Sequence, residues 1–317
     1  MKYLQQLIKK PNRFVILSII TRAGVLLLLI CIALWTEYTN LKLGFNSARL
    51  VDLSSGMAMG IFYRISDFFF SIFGDSLKVA QSFGGMTWSI RILGVPFTDP
   101  VAFLSILIRY HKFETGFFLG LVIPLSIAYL SGRVFCAYIC PASLIFQVVN
   151  RVRRMLSRFF YFPELSASPH TAWMVLAAGL IAAYFFGHSI WIFVLPYFSI
   201  GQSIFNGLAF GVLSSAIAGI IVFASIDLSM GTLFTCRFLC PTGKILGTVG
   251  RKSVFSLKRE RDTCIESCHA CEEICPMKIS PKKDETQDCT LCGQCVSLCP
   301  ADCLSVGRRN TAGERQK

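Results

Sequence analysis

The sequence GRVFCAYICPASLI, residues 132–145, follows an apolar run and carries two cysteines and a proline in the order C-x3-C-P. The sequence TLFTCRFLCPTGKI, residues 232–245, repeats the cysteines and the proline at an offset of 100 positions. The two cysteines of each motif lie about one helical turn apart, and the proline suits the first turn of a new helix. The pattern predicts two paired-thiol sites, Cys136 with Cys140 and Cys236 with Cys240.

The composition is that of an integral membrane protein. Of the 317 residues, 54% are hydrophobic and 15% are charged, and the mean hydropathy is +0.59. Soluble domains are less apolar. A spanning helix needs roughly 20 mostly apolar residues. Four stretches have about this length, namely residues 14–35, 116–134, 171–195 and 206–228.

Basic residues beside these stretches predict the orientation of the chain, because loops rich in Lys and Arg stay in the cytoplasm. They precede the first stretch, lie between the second and third, and follow the fourth. These residues are Lys9, Lys10, Arg13, Arg133, Arg151, Arg153, Arg154, Arg158, Arg237, Lys244, Arg251 and Lys252. We therefore expect a multi-pass membrane protein with both termini in the cytoplasm, its first stretch retained as an anchor.

The net charge of +13 does not indicate nucleic-acid binding. The basic residues are spread over loops between apolar segments, and no nucleic-acid motif accompanies them. They are typical of topology signals and of contact with anionic lipid headgroups.

The segment between the first two stretches, residues 36–115, is predicted as an interfacial or periplasmic loop. Within it, the middle of residues 36–99 is aromatic and is interpreted as one amphipathic interfacial helix. Residues 101–110 are apolar but too short to span, so we expect them to lie in the interface or to re-enter.

The repeat extends beyond the cysteine motifs. The sequences GVPFTDPVAFLSIL from Gly94 and VLPYFSIGQSIFNGL from Val194 align at the same offset of 100. A repeated unit therefore runs from a Pro-aromatic turn through a helix to C-x3-C-P. The predicted fold of residues 1–262 is all-α and polytopic, with four transmembrane helices arranged as two parallel hairpin repeats.

Nine of the other cysteines lie in a tail of soluble composition. The chain has fourteen cysteines, and their short spacings favour metal ligation over disulfides. Residues 289–300 have the C-x2-C-x2-C-x3-C-P spacing of bacterial [4Fe-4S] ferredoxins, and residues 264–276 differ by one extra residue. We predict an α+β 2[4Fe-4S] ferredoxin-like domain over residues 263–307 and a disordered tail over residues 308–317.

In this ferredoxin pattern the fourth ligand of each cluster comes from the other motif. The first predicted cluster is held by Cys264, Cys268, Cys271 and Cys299. The second is held by Cys289, Cys292, Cys295 and Cys275. Cys303 lies outside both sets and is predicted to be a small core residue. Zinc closes a site with four ligands and does not explain eight in this order.

The role of the C-x3-C-P cysteines stays open at this point. If the two repeats are related by an axis along the membrane normal, Cys136, Cys140, Cys236 and Cys240 meet near that axis. Four thiols there fit one iron or iron-sulfur centre. They also fit a dithiol that cycles with a disulfide, or structural packing.

A few isolated polar residues are candidates for a quinone site. Intramembrane ionisable groups are functional candidates by default, which singles out His188 near the outer end of the third stretch. His111 and Arg109 flank the outer interface and are further candidates. Asp227, near the inner end of the fourth stretch, is interpreted as an interfacial acid.

The whole pattern resembles the NapH-, MauN- and NosR-type ferredoxin membrane proteins. The resemblance covers residues 96–307 and is carried by PFTDP, GRVFCAYICP, CRFLCPTG, CHACEEICP and CTLCGQCVSLCP. It implies a membrane quinol dehydrogenase subunit that passes electrons from quinol to a partner iron-sulfur protein or cytochrome of a periplasmic redox enzyme. Residues 36–99 are longer than the resemblance leads us to expect, so the terminal enzyme stays open.

Two other functions fit the same residues. One is a maturation or reductive-activation protein, in which the tail takes electrons from a cytoplasmic donor for assembly of a periplasmic enzyme. The other is a non-catalytic membrane anchor for another complex.

Overall fold

The computed structural model describes residues 13–45, 47–86, 88–111, 115–209, 216–283 and 288–309. The described chain is mostly helical. The longer helices are Arg13–Phe45, Met57–Ser71, Pro100–Tyr110, Thr115–Ser131, Ala142–Leu156, Thr171–Phe186, Pro196–Ala209 and Ala216–Met230. The shorter ones are Ala48–Ser55, Ser76–Gln81, Val134–Tyr138, Pro241–Val249, Ala270–Ile274 and Gln294–Leu298. Short 3-10 helices cover His188–Phe193, Gly250–Lys252 and Pro281–Lys283.

The chain forms two compact units. The cysteine unit comprises residues 1–25, 123–179 and 222–317, and the aromatic unit comprises residues 26–122 and 180–221. The division falls inside four apolar helices, which contribute residues to both units. This grouping therefore does not follow the predicted boundary between residues 262 and 263.

The helices in the predicted spans differ in length from the prediction. Among the described residues, only Arg13–Phe45 is both long and apolar enough to cross a membrane, with a mean hydropathy of 2.7 over its best window. Helices Thr115–Ser131, Thr171–Phe186 and Ala216–Met230 are apolar but have 10–17 residues. Helix Thr171–Phe186 ends just before Gly187, well before residue 195, where the predicted stretch ends. Gly187 has φ 91°, a conformation that suits glycine.

The aromatic unit shows that the prediction of a single amphipathic helix within residues 36–99 is wrong. Three helices, Ala48–Ser55, Met57–Ser71 and Ser76–Gln81, are followed by a three-stranded antiparallel sheet. Strands Gly84–Met86, Ser89–Ile92 and Val95–Thr98 pair in chain order, with Ile90 opposite both Gly85 and Phe97. The part of the chain predicted to lie in the membrane, residues 1–262, is therefore not all-α.

This unit has its own core. Tyr38, Val51, Tyr63, Phe70 and Ala80 are buried together, and Trp35 packs edge-on against Phe70 with ring centroids 5.4 Å apart. The Tyr38 hydroxyl donates to Asp67 at 2.8 Å, and Lys42 pairs with the same carboxylate. A connection long enough to bury its own aromatic side chains folds on itself instead of lying flat as one helix.

Replacing Phe70 with alanine is expected to lower the free energy of unfolding by about 3–5 kcal/mol, because its ring is 1% exposed and leaves a cavity. Phe73, three residues later and 68% exposed, is the matched control, for which we expect less than about 0.5 kcal/mol. Urea unfolding of the detergent-purified variants measures both values. Equal effects at the two positions would show that the aromatic core is not formed.

In the cysteine unit the two C-x3-C-P motifs have matching backbones. The Cys140 N–H donates to the Phe135 carbonyl at 2.9 Å, and the Cys240 N–H donates to the Thr235 carbonyl at 2.8 Å. Each motif therefore contains a π-type turn, in which an N–H donates to the carbonyl five residues earlier. The two turns lie 100 positions apart, where ordinary α-helical turns were expected. Pro241 begins helix Pro241–Val249, and Pro141 caps helix Ala142–Leu156.

The tail forms a small domain closed by two antiparallel strands. Strand Phe255–Arg259 pairs with strand Leu304–Arg308, with Leu257 opposite Val306. The domain therefore begins about eight residues before the predicted start at residue 263. Arg308 lies in the second strand and the Arg309 N–H donates to the Val254 carbonyl, so these two residues do not belong to a disordered tail. The rest of the predicted tail, residues 310–317, lies outside the described residues.

Candidate functional site

A first cavity in the tail is lined by Cys264, Cys268, Cys271 and Cys299. Tight turns aim the first two thiols inward, since the Cys264 N–H donates to Arg261 and the Cys268 N–H donates to Ile265, each at 3.2 Å. Cys271 lies in helix Ala270–Ile274. These four are the cysteines that the crossed ferredoxin pattern groups into the first cluster.

A second cavity in the tail is lined by Cys275, Cys289, Cys292 and Cys295. Burial raises the pKa of Cys289 to about 12, and it also raises the pKa of Cys295, to which the neighbouring thiols add. One of these neighbours is Cys271 of the first cavity, so the two cavities lie within electrostatic reach of each other. The Leu291 N–H points at the Cys289 sulfur at 3.4 Å.

The donor sets fit iron-sulfur clusters better than single ions. Within the described ranges, no group of three or more His, Cys, Asp or Glu side chains lies close enough to hold one metal ion. A cubane occupies the space between its four thiolates, so its ligands lie farther apart than those of one ion. Each of the two cavities is bordered by the four thiols of one predicted ligand set, which have the chemistry that such a cluster requires.

The four C-x3-C-P thiols are brought together. Burial raises the pKa of Cys140, and Cys136 and Cys240 raise it further. Burial likewise raises the pKa of Cys236, with smaller contributions from Asp227 and the other three thiols. Free thiols in such surroundings are poor nucleophiles, because the thiolate is the reactive form in disulfide exchange. Metal coordination, in contrast, removes the proton outright.

A buried arginine lies beside these thiols. The Arg133 side chain is 2% exposed, and its guanidinium is within electrostatic range of Cys136, Cys236 and Cys240. It donates to the Cys236 carbonyl at 3.2 Å and pairs with Asp288, the residue before Cys289, at 3.0 Å. Arg133 therefore connects the C-x3-C-P thiols to the second tail cavity. Its Nε has no hydrogen-bond partner among the described residues.

Two glycines of helix Pro241–Val249 make room for this guanidinium. A Cβ on Gly243 would lie 2.8 Å from Arg133 Nη2, and a Cβ on Gly247 would lie 2.9 Å from Arg133 Cδ. Glycine inside a helix costs about 1 kcal/mol relative to alanine. The close approach of Arg133 explains why glycine is present at both positions despite this cost.

A second buried arginine faces the same region from the first helix. Arg22 is 2% exposed and donates to the Ser143 hydroxyl at 3.1 Å. It is within electrostatic range of Cys140 on one side and Cys292 on the other. Tyr138 lies nearby, and its hydroxyl donates to the Leu291 carbonyl of the tail at 3.1 Å. Two cations thus flank the four thiols.

The chain is similar to known proteins of the ferredoxin type. A family profile described as a 4Fe-4S binding domain matches residues 114–159, which include Cys136 and Cys140. The ferredoxin-type protein NapH of Escherichia coli K12 is 27% identical over 243 residues, or 73% of this chain and 82% of that protein. An uncharacterized protein of Methanocaldococcus jannaschii is 31% identical over 192 residues, or 58% of this chain and 76% of that protein.

The methylamine utilization ferredoxin-type protein MauN of Methylorubrum extorquens is 28% identical over 197 residues, or 61% of this chain and 66% of that protein. The chain belongs to the NapH/MauN family of ferredoxin-type proteins. It is an iron-sulfur electron-transfer protein of the ferredoxin type. No solved structure matches it.

The quinone candidates of this NapH/MauN-family chain lie in the aromatic unit. Arg109 donates to the carbonyls of Ala183 and Tyr184 at 3.0 and 3.2 Å, so its guanidinium caps the end of helix Thr171–Phe186. This places it beside the segment that leads to His188. His111 is exposed and has φ 50°. The His188 side chain is outside the described part of the structure.

Several residues of the NapH/MauN-family site have other roles than the sequence suggested. Arg133 and Arg153, counted among loop charges, are buried. Asp227 is 0% exposed and accepts from the Thr235 N–H at 2.8 Å, so its interpretation as an interfacial acid is wrong. Gly243 and Gly247 follow Pro241 at a spacing of four residues, which places them on one face of a helix. This spacing is the sequence signal that could have indicated a buried side chain against that face.

Proposed function

We propose that this NapH/MauN-family protein oxidises membrane quinol and passes the electrons to a partner iron-sulfur protein or cytochrome of a periplasmic redox enzyme. In this proposal the two tail cavities hold [4Fe-4S] clusters, and the four C-x3-C-P thiols hold a third centre. The observation that carries the proposal is the contact of Arg133 with Cys236 and with Asp288. It joins the membrane-edge thiols and the ferredoxin-like tail into one connected region.

Charge favours ligation at the C-x3-C-P thiols over simple packing. Neutral thiols would leave the buried Arg133 with Asp288 as its anionic partner in the described part of the chain, and Asp288 is 43% exposed. An uncompensated buried charge is costly. A centre held by four thiolates is anionic, and Arg133 and Arg22 lie where they would balance that charge.

The stoichiometry of quinol oxidation suits several centres. Quinol gives up two electrons and two protons to become quinone, whereas iron-sulfur clusters supply one-electron transfer. The chain therefore has to accept two electrons in succession. In the residues described, Arg133, Asp288 and Tyr138 fix the tail against the C-x3-C-P motifs, which keeps the acceptors of the two electrons in a constant arrangement.

Exposed apolar side chains support a membrane position. Eight of them, each at least 60% exposed, lie on the four apolar helices whose stretches were predicted to span. They are Ile20, Leu27, Leu43, Leu119, Ile181, Phe185, Phe186 and Ile221. Helices of a water-soluble protein rarely present so many together. We propose four spans in a bacterial inner membrane, with the cysteine-rich tail and both termini in the cytoplasm and a quinol site near His111, Arg109 and His188.

Adding quinol to the anaerobically purified protein tests the proposal. We expect menaquinol or ubiquinol to reduce the oxidised clusters within seconds, seen as bleaching of their visible absorbance and as reduced-cluster signals in electron paramagnetic resonance. A Cys289→Ser variant, which lacks one ligand of the second cavity, should lose part of this signal.

Reduction by a low-potential cytoplasmic-type donor such as reduced ferredoxin, with no response to either quinol, would overturn the proposal in favour of the maturation role. No reduction by any donor, with partner binding kept after removal of the clusters, would overturn it in favour of the anchor role.

A further inference from the structure

Cys303 lies at the first tail cavity and is not one of the eight predicted ligands. It is 6% exposed, and its sulfur lies 3.4 Å from the sulfur of Cys299. It also interacts with Cys264, and it lines the cavity together with the four predicted ligands. The prediction that Cys303 is only a small core residue is therefore incomplete.

The backbone holds Cys303 in this position. Its carbonyl accepts from the Glu260 N–H at 2.9 Å, which ties it to the end of strand Phe255–Arg259. Asp302, just before it, has φ 48°, so the chain turns sharply between Pro300 and the final strand. The thiol is thus fixed beside Cys299 by strand pairing on one side and by a tight turn on the other.

We propose that Cys303 donates an S–H···S hydrogen bond to the Cys299 thiolate and thereby raises the reduction potential of the cluster in the first cavity. This proposal rests on the assignment of a cluster to that cavity. An ordinary thiol is protonated at neutral pH and has a proton to donate. Hydrogen bonds to ligand sulfurs stabilise the more negative, reduced form of a cluster, and they are one of the factors that set its potential.

The second cavity lacks this donor and serves as an internal comparison. Cys299 and Cys275 occupy equivalent places in the two motifs, and the residue four positions after Cys275 is Ile279. Ile279 lines the second cavity as Cys303 lines the first. The two cavities therefore differ at this equivalent position, which holds a thiol in the first cavity and an apolar side chain in the second. The second cavity has donors elsewhere, the Leu291 N–H at Cys289 and the Thr290 side chain at Cys292, so the comparison concerns this one position.

Redox titration of the full-length protein in detergent tests the proposal. In Cys303→Ala, at a fixed potential, we expect the ratio of reduced to oxidised first cluster to fall about tenfold, a downward shift of about 59 mV. Cys303→Ser keeps a donor and should stay close to the unchanged protein. Ile279→Cys should raise the reduction potential of the cluster in the second cavity.

Iron content keeps the outcomes separate. We expect all three variants to keep the iron content of the unchanged protein. An unchanged reduction potential in Cys303→Ala with full iron content would overturn the proposal. Loss of about four iron atoms in this variant would also overturn it, because Cys303 would then be a ligand. An unchanged protein without iron would instead overturn the cluster assignment itself.

Discussion

Replacing Cys136 and Cys236 together with serine is expected to reduce quinol-dependent electron delivery by at least about 100-fold. Loss of residues that merely support metal ligands costs 10–100-fold, and these two thiols are proposed as ligands themselves. One comes from each C-x3-C-P motif, so the double variant removes half of the four-thiol set. The tail cavities do not include either residue and should keep their clusters.

The measurement is the rate of electron transfer from quinol to an artificial one-electron acceptor, with iron counted in the same preparations. Cys31→Ser is the matched control, since Cys31 lies in helix Arg13–Phe45 away from both motifs in sequence. We expect the double variant to lose about four iron atoms and the control to lose none. Lost activity with unchanged iron would point to dithiol chemistry, and unchanged activity would point to packing.

Replacing Arg133 with glutamine is expected to lower the free energy of unfolding by about 3 kcal/mol. Removing one partner of a buried ion pair costs 3–5 kcal/mol, and the lower end applies because Asp288 is 43% exposed. The change also removes positive charge beside Cys136, Cys236 and Cys240. We therefore expect the centre at these thiols to become harder to reduce, since its reduced form is the more negative one.

Arg151→Gln provides the control for this prediction, because Arg151 is exposed on helix Ala142–Leu156. Its stability should change by less than about 0.5 kcal/mol. Urea unfolding measures stability, and limited proteolysis reports release of the tail. Arg133→Lys keeps the charge but not the planar guanidinium, and its loss of unfolding free energy should lie between those of Arg133→Gln and Arg151→Gln. If Arg133→Gln is as mild as Arg151→Gln, the guanidinium does not bridge the motifs and the tail.

The candidate site was assigned from cysteine spacing, and the assignment of ligands to clusters stays a prediction. Ferredoxin spacing grouped Cys264 with Cys299 and Cys289 with Cys275 across two motifs, and the same groups border the two cavities. Short-range spacing is informative here because ligands on tight loops have few ways to converge on one cluster. The offset of 100 likewise anticipated two matching turns, although not their five-residue hydrogen bonds.

Features that depend on tertiary contacts were not predictable in this way. A charge count cannot distinguish a solvated arginine from Arg133, whose burial depends on glycines more than 100 positions later. Cys303 matches no motif, and only the pairing of two strands places it beside Cys299. Residues 36–99 were interpreted from composition, which indicates aromatic burial but not the sheet that follows the helices.

Iron and acid-labile sulfide per chain, counted in the anaerobically purified protein, test the central claim most directly. Three cubane centres predict about twelve of each, and about eight after Cys136, Cys140, Cys236 and Cys240 are all replaced with serine. About eight in the unchanged protein, with no loss in the four-serine variant, would contradict the claim that the C-x3-C-P thiols hold a centre.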